Sequence, residues 1–426
     1  MLIVDPVTSS PPPPVRTSYL GALGPGLITG AADDDPSGIA TYSQAGAQFG
    51  LAMTWVMLFS YPLMSVTQVI AARIGAVTGE GIATNLRLHY SVWVLRFAVL
   101  LLLVANIANL GADLGAMGAA LQLLLGGPIL AYTCGFALAC IAAQIWIGYS
   151  RYAAILKWLC LSLFTYVGVV FAVGVNWGEA LRSIVIPQMS FDAAHAEMLV
   201  AILGTTISPY LFFWQASQEV EEQHGRRIAR LLDNDDAAKE LRSIDVDTWV
   251  GMGFSNLVAL FIIIATAATL HASGKTDIAT AGQAAEALRP IAGPLTFVLF
   301  AAGIIGTGLL AVPVLAGSAA YAAAETFGWT EGLDRRLDRA QGFYGTIAVV
   351  TLAGLGLNFT GIDPIKALYW SAVLNGLLAT PLMALMLLIA TNRRIMGRLS
   401  LPLWLVVVGW IATAVMAAAT LAFFVL

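Results

Sequence analysis

Long apolar stretches alternate with short polar ones along almost the whole chain. Runs of about 20 residues, the length that crosses a hydrocarbon core, fall at 20–47, 51–71, 92–124, 128–148, 152–175, 196–218, 248–270, 290–324, 341–358, 365–391 and 401–425. The pattern predicts an all-α polytopic membrane protein with eleven transmembrane helices. Two polar segments stand outside it. Residues 1–18, with "SSPPPPVRTS", read as a disordered, uncleaved tail lacking a signal-peptide core. Residues 219–247, "EVEEQHGRRIARLLDNDDAAKELRSIDVD", read as a solvated, partly helical loop, because mixed charge runs between spans are usually just wet.

Composition agrees. The 426 residues are 59% hydrophobic and 11% charged, with mean hydropathy +0.82, against about 25% charged in soluble domains. The net charge of −4 gives no basic surface for nucleic acid. Cys134, Cys140 and Cys160 sit inside expected spans, too few for a disulfide framework. Basic residues set the orientation. With the N-terminus inside, 17 of the 21 Lys and Arg fall on the cytoplasmic side, leaving only Arg182, Lys275, Arg289 and Lys366 outside. The positive-inside rule thus favours an odd number of spans, a cytoplasmic N-terminus and an external C-terminus, in a bacterial-type inner (plasma) membrane and as a monomer.

Of the 25 acidic residues, Asp33, Asp34, Asp35 and Asp113 lie well within expected spans. A carboxylate at that depth costs several kcal/mol unless it meets a cation, a cavity or a partner. No intraspan Lys or Arg offers itself, so the reading is a cation site. Pro36 lacks an amide hydrogen and disfavours helix at Asp35, and Gly30 and Gly38 flank the stretch. The first span should break there. Consecutive helical residues point about 100° apart, so at most one or two of the three aspartates can share a site. A second break is expected at "GTTISPYLFF", 204–213, where Gly204, Ser208 and Pro209 interrupt the sixth span. Broken helices at matching positions of two halves are how many secondary transporters build ion sites. The halves would be 19–195 and 196–391, a LeuT-like inverted repeat of 5+5, with 392–426 appended as the eleventh span.

The motifs then resemble a known family. "GPGLITGAADDDPSG" is similar to the first-span signature of the Nramp divalent-metal transporters, which ends in Asp-Pro-Gly-Asn, and "GTTISPYLFFWQAS" to their sixth-span segment built on Met-Pro-His. "NIANLGADLGAMGAAL", 106–121, resembles the third span, and "IDPIKALYWSAVLNGLLATPLMALMLL", 362–388, the tenth. The resemblance places the family's site aspartate on Asp35, its asparagine on Gly38, its methionine on Ser208 and its two histidines on Tyr210 and Gln215. It implies a substrate site of Asp35, Asp34, Gly38, Thr205 and Ser208. Asp33, Asp113, Tyr210, Gln215 and Asn375 would stand behind it or along the path. No cofactor is implied; a divalent cation is the substrate and the bilayer the other partner.

The departures carry information. A thioether favours transition metals, and its replacement by hard oxygen groups suits Mg²⁺. This matches the Nramp-related magnesium transporters, with Gly38 leaving room for a partly hydrated ion. Ala116 stands where a third-span Glu would be, and no intraspan His remains to titrate near neutral pH, so transport uncoupled from protons is expected. Other readings stay open. These are a proton-coupled Mn²⁺/Fe²⁺ importer, a symporter for an amino acid or other organic substrate, and an intramembrane aspartyl hydrolase using Asp35 and Asp113. For Asp33 and Asp34 the alternatives are contact with a hydrated cation, an entry path, or a protonated carboxyl bonded to Thr29 or Asn375. Asp113 reads equally as a relay or a structural acid.

Overall fold

Proline decides where the first span stops being one helix. The computed structural model describes residues 25–147, 163–188, 190–222, 234–333 and 335–426. The expected disordered tail, Cys160, residues 152–162 of the expected fifth span and residues 223–233 of the charged segment lie outside them. Helix α1 (Pro25–Asp33) opens on a proline at its first position, where a missing amide costs nothing. It ends two residues before Pro36. Asp35 is extended (φ −70°, ψ 170°), and α2 (Pro36–Phe49) restarts the helix. Gly50, at φ +60°, turns the chain into α3 (Thr54–Thr78), followed by α4 (Ile82–His89), α5 (Val92–Leu125), α6 (Ile129–Trp146), α7 (Phe164–Ala172) and α8 (Trp177–Val185).

The sixth span repeats the device. Helix α9 (Ala193–Thr206) stops, Ile207 leaves helical geometry (φ −121°, ψ 59°), and α10 (Pro209–Glu222) begins on a proline. Then come α11 (Asn234–Thr269), α12 (Thr296–Phe327), α13 (Gln341–Leu357), α14 (Pro364–Thr391) and α15 (Leu403–Val425). The fold among the described residues is all-α. Nine of its helical segments are long and apolar enough to cross a membrane, and one of them, Pro36–Thr78, joins the second half of the broken span to the next. Of the eleven expected spans, 152–175 is described only from residue 163.

Glycines bring the broken helices against their neighbours. A Cβ on Gly30 of α1 would stand 2.2 Å from the Gly251 carbonyl oxygen of α11, and one on Gly251 would stand 2.2 Å from the Gly26 oxygen. On the other half, a Cβ on Gly204 of α9 would lie 2.1 Å from Ala372 O and 2.4 Å from Gly376 N of α14. Backbones in direct contact are how membrane helices gain packing without a hydrophobic drive.

The described ends of the charged segment are helical, and two of their acids are buried rather than solvated. Residues 219–222 complete α10, and α11 begins at Asn234, inside the expected loop. Glu219 and Asp247 are buried. The reason is the broken first span. Helix α1 starts with unpaired amides, and Asp247 supplies a carboxylate to the Gly26 N–H at 2.7 Å. Arg73 of α3 binds Asp245 with two parallel hydrogen bonds, Nε to Oδ1 at 2.8 Å and Nη2 to Oδ2. Composition reports charge, but a helix end needs that charge nearby.

Candidate ion site

The two breaks meet. The Tyr210 hydroxyl, at the start of α10, lies within hydrogen-bond distance of Ala32 O at 3.2 Å and of Asp35 Oδ2 at 3.3 Å. A Cβ on Gly38 would stand 3.1 Å from Thr205 Oγ1, 3.2 Å from the Tyr42 ring and 3.5 Å from Asp33 O. Gly38 and Thr205 therefore face each other across the junction, as expected. The expected room at Gly38 is smaller than its missing side chain suggests, because the Tyr42 ring flanks it.

Asp35 is fixed at the centre. Its Oδ1 caps α2 by accepting from Gly38 N at 2.7 Å and from Ser37 Oγ at 2.6 Å. Its Oδ2 faces Tyr210 and the Asn109 amide, the latter at 3.4 Å. Those long contacts leave Oδ2 the less committed oxygen. Asp33, Asp34 and Asp35 are at most 2% exposed, and among the described residues no basic side chain pairs with any of them. Among the described residues no three Asp, Glu, His or Cys side chains are grouped so that they could hold a metal ion by themselves. This matches the helical argument that the three aspartates cannot all face one point.

The other candidates divide. Ser208 Oγ lies 2.9 Å from both Gly204 O and Thr205 O, so its proton closes the end of α9 and only its lone pairs face outward. Thr205 Oγ1, both polar atoms of Asn375 and both oxygens of Asp113 are buried without a hydrogen-bond partner among the described residues. Asp113 lies within electrostatic reach of Asp35. Asn375 precedes Gly376, which packs on α9 beside the break.

Gln215 is not at the junction. It donates to Glu219 Oε1 at 3.0 Å and accepts from the Thr29 hydroxyl. Six residues into a helix is about 9 Å along its axis, which places Gln215 against the middle of α1. The expected bonding of Asp33 or Asp34 to Thr29 or Asn375 also gives way to another partner. Ser255 of α11 lies 2.7 Å from Asp33 Oδ2 and 3.1 Å from Asp34 Oδ1.

Sequence reasoning missed Ser255, Asn109 and Tyr42. Asn109 falls in the quoted third-span stretch, four residues before Asp113, on the same helix face. Ser255 and Asn256 are a polar pair in an apolar helix. A further group of carboxylates gathers at the arginine-rich end. Glu325 accepts from Thr84 N at 2.8 Å and Ser217 Oγ at 3.0 Å, capping α4. Glu331, in the α12–α13 connection, is pushed up to about 9 by burial and by the charges of Glu325, Glu221 and Glu80.

The family is then shown by comparison. The description "Natural resistance-associated macrophage protein-like", Nramp, matches residues 26–426. The chain belongs to the Nramp family, a family of membrane transporters rather than enzymes. It is similar to the divalent metal cation transporter MntH of Burkholderia ambifaria, with 29% identity over 419 residues, 93% of this chain and 87% of that protein. Among solved structures it resembles the manganese transporter of Eremococcus coleocola (TM-score 0.78, 17% identity, 96% of this chain and 87% of that one). It also resembles MhsT in complex with L-phenylalanine (TM-score 0.58, 15% identity, 93% and 98%). At such identities the likeness is one of fold, the LeuT-like arrangement with broken first and sixth spans.

Proposed function

We propose that the chain imports a divalent cation by alternating access, that Mg²⁺ is its preferred substrate with Mn²⁺ also carried, and that transport is not coupled to protons. The observation that supports this reading is Asp35. It is a buried carboxylate at the meeting point of two helix breaks, with no basic partner among the described residues and one loosely held oxygen. Asp35, Thr205, the lone pairs of Ser208 and the carbonyls freed at the breaks offer oxygen donors only, the chemistry of hard cations. The name of the Burkholderia ambifaria relative, a divalent metal cation transporter, agrees with the coarser part of the reading. Three carboxylates within the first span would repel the carboxylate of an amino-acid substrate. Expected orientation and repeat boundaries enter the same reading: N-terminus cytoplasmic, with 19–195 and 196–391 as the two halves.

Uncoupled import follows from which groups flank the ion. Tyr210, where the resemblance puts one of the family's sixth-span histidines, stands beside Asp35, and a tyrosine has a reference pKa near 10. An inside-negative membrane potential supplies about 2.3 kcal/mol per charge per 100 mV, twice that for a divalent ion. In proteoliposomes loaded with a pH dye, external Mg²⁺ under an inside-negative potential should enter without metal-dependent internal acidification. A Mg²⁺-dependent pH drop that vanishes in Asp35→Ala would instead establish a proton-coupled importer.

Selectivity has its own test. Ser208→Met places a thioether at the sixth-span break and should raise Mn²⁺ and Cd²⁺ affinity relative to Mg²⁺, measured by calorimetry. Adding Gly38→Asn requires the Tyr42 ring or Thr205 to give by a few tenths of an ångström, so the single variant is the cleaner probe. Unmoved relative affinities would mean that ligand softness does not set selectivity here.

A further inference from the structure

We propose that Asp33, Asp34 and Ser255 form a second cation position beside the one at Asp35, taking a hard, oxygen-seeking cation. The inference rests on Asp35 holding the transported ion. One hydroxyl stands between two carboxylates, with Ser255 Oγ 2.7 Å from Asp33 Oδ2 and 3.1 Å from Asp34 Oδ1. A serine carries a single proton and donates it to one acceptor at a time. The other contact is then oxygen against oxygen, which a bound cation or a proton on one carboxyl resolves.

One further atom points to a ligand. Asp33 Oδ1 is buried with no hydrogen-bond partner among the described residues, on a residue 0% exposed. The Tyr42 hydroxyl has Thr205 as its neighbour. Its residue is 1% exposed, and it lies within electrostatic reach of Asp33, Asp34 and Asp35. The Tyr42 ring and Asp33 O both border the space beside Gly38. A buried acceptor without a donor is rare and costly, and the free Asp33 oxygen beside a second carboxyl and a hydroxyl offers the oxygen donors that a hard cation takes.

Charge makes the same demand. Asp33 and Asp34 are buried side by side with no basic partner among the described residues, so whatever charge they carry beyond what an ion on Asp35 offsets needs a proton or a further cation beside it. A further cation at Asp33 and Asp34 offsets the remainder. It can be a second divalent ion or a monovalent co-ion; both share the same oxygen chemistry.

Equilibrium dialysis of the purified full chain in nanodiscs tests this, with Mg²⁺ titrated in sodium chloride or in choline chloride. The expected result is either about two Mg²⁺ per chain in choline, or one Mg²⁺ whose affinity rises roughly tenfold with Na⁺. The first identifies a divalent second ion and the second a monovalent one. Asp33→Asn/Asp34→Asn, and the milder Ser255→Ala, should abolish the second ion or the sodium effect while one Mg²⁺ stays bound. Asp35→Ala should remove the other ion. One Mg²⁺ per chain with no sodium effect in the folded wild type, or a second ion that survives Asp33→Asn/Asp34→Asn, overturns the proposal. Should Asp35→Ala leave the count unchanged while the double variant lowers it, the reading of Asp35 fails and the second position stands.

Discussion

Replacing Asp35 by alanine will reduce Mg²⁺ uptake to background in proteoliposomes. The substitution removes the one carboxylate at the junction of the two breaks and its contacts with Tyr210 and Asn109. Loss of the charged ligand of a divalent ion, worth about 3 kcal/mol, weakens binding roughly a hundredfold. Asp35 also caps α2 through Gly38 N, and losing a cap costs about 1 kcal/mol of stability. Asp35→Asn separates the two effects. Asparagine caps about as well as aspartate but carries no charge, so this variant should keep the thermal stability of the wild type and lose uptake all the same. Transport by Asp35→Asn at the wild-type rate would remove Asp35 from the site.

The second large effect is steric. Gly251→Val drives a branched side chain into the Gly26 carbonyl, where even a Cβ would lie 2.2 Å from the oxygen. Overpacking against a side chain costs about 1–3 kcal/mol, and here the obstacle is backbone that cannot rotate away. The variant should lose most of its monodisperse peak in size-exclusion chromatography and melt well below the wild type. Gly345→Ala, whose Cβ meets nothing within 4 Å, should behave as wild type in the same assay. A stable Gly251→Val would show that α1 and α11 are not in contact.

Much of the site could be read directly from the chain. Asp35-Pro36 and Ser208-Pro209 mark both breaks because proline acts locally, through its own ring and missing amide. The convergence of Gly38 and Thr205 was likewise legible from the paired motifs. What was not legible depends on contacts between distant residues. Ser255 meets Asp33 across 222 positions, and a lone hydroxyl in an apolar helix carries no periodic signal. Asp247 looked like loop charge because the need it meets, the free amides at the start of α1, lies 221 positions away. Gln215, expected behind the site or along the path, lies beside Thr29 of α1. Motif matching gave its identity, but the rise per residue of α10 already carried it past the junction.

The glycine seam between α1 and α11 also sets what can move. The break at Asp34 and Asp35 separates α1 from α2 and makes a natural pivot, but α1 is not free to turn about it alone. Its backbone touches Gly251 along Gly26 and Gly30, and its first amide is tied to Asp247. On its other flank, the ties to α10 run through side chains, from the Tyr210 hydroxyl to Ala32 O and from Thr29 through Gln215 to Glu219, and these can slide and re-form. A lever built this way swings as α1 together with the stretch of α11 around Asp247 and Gly251, and shears along α10.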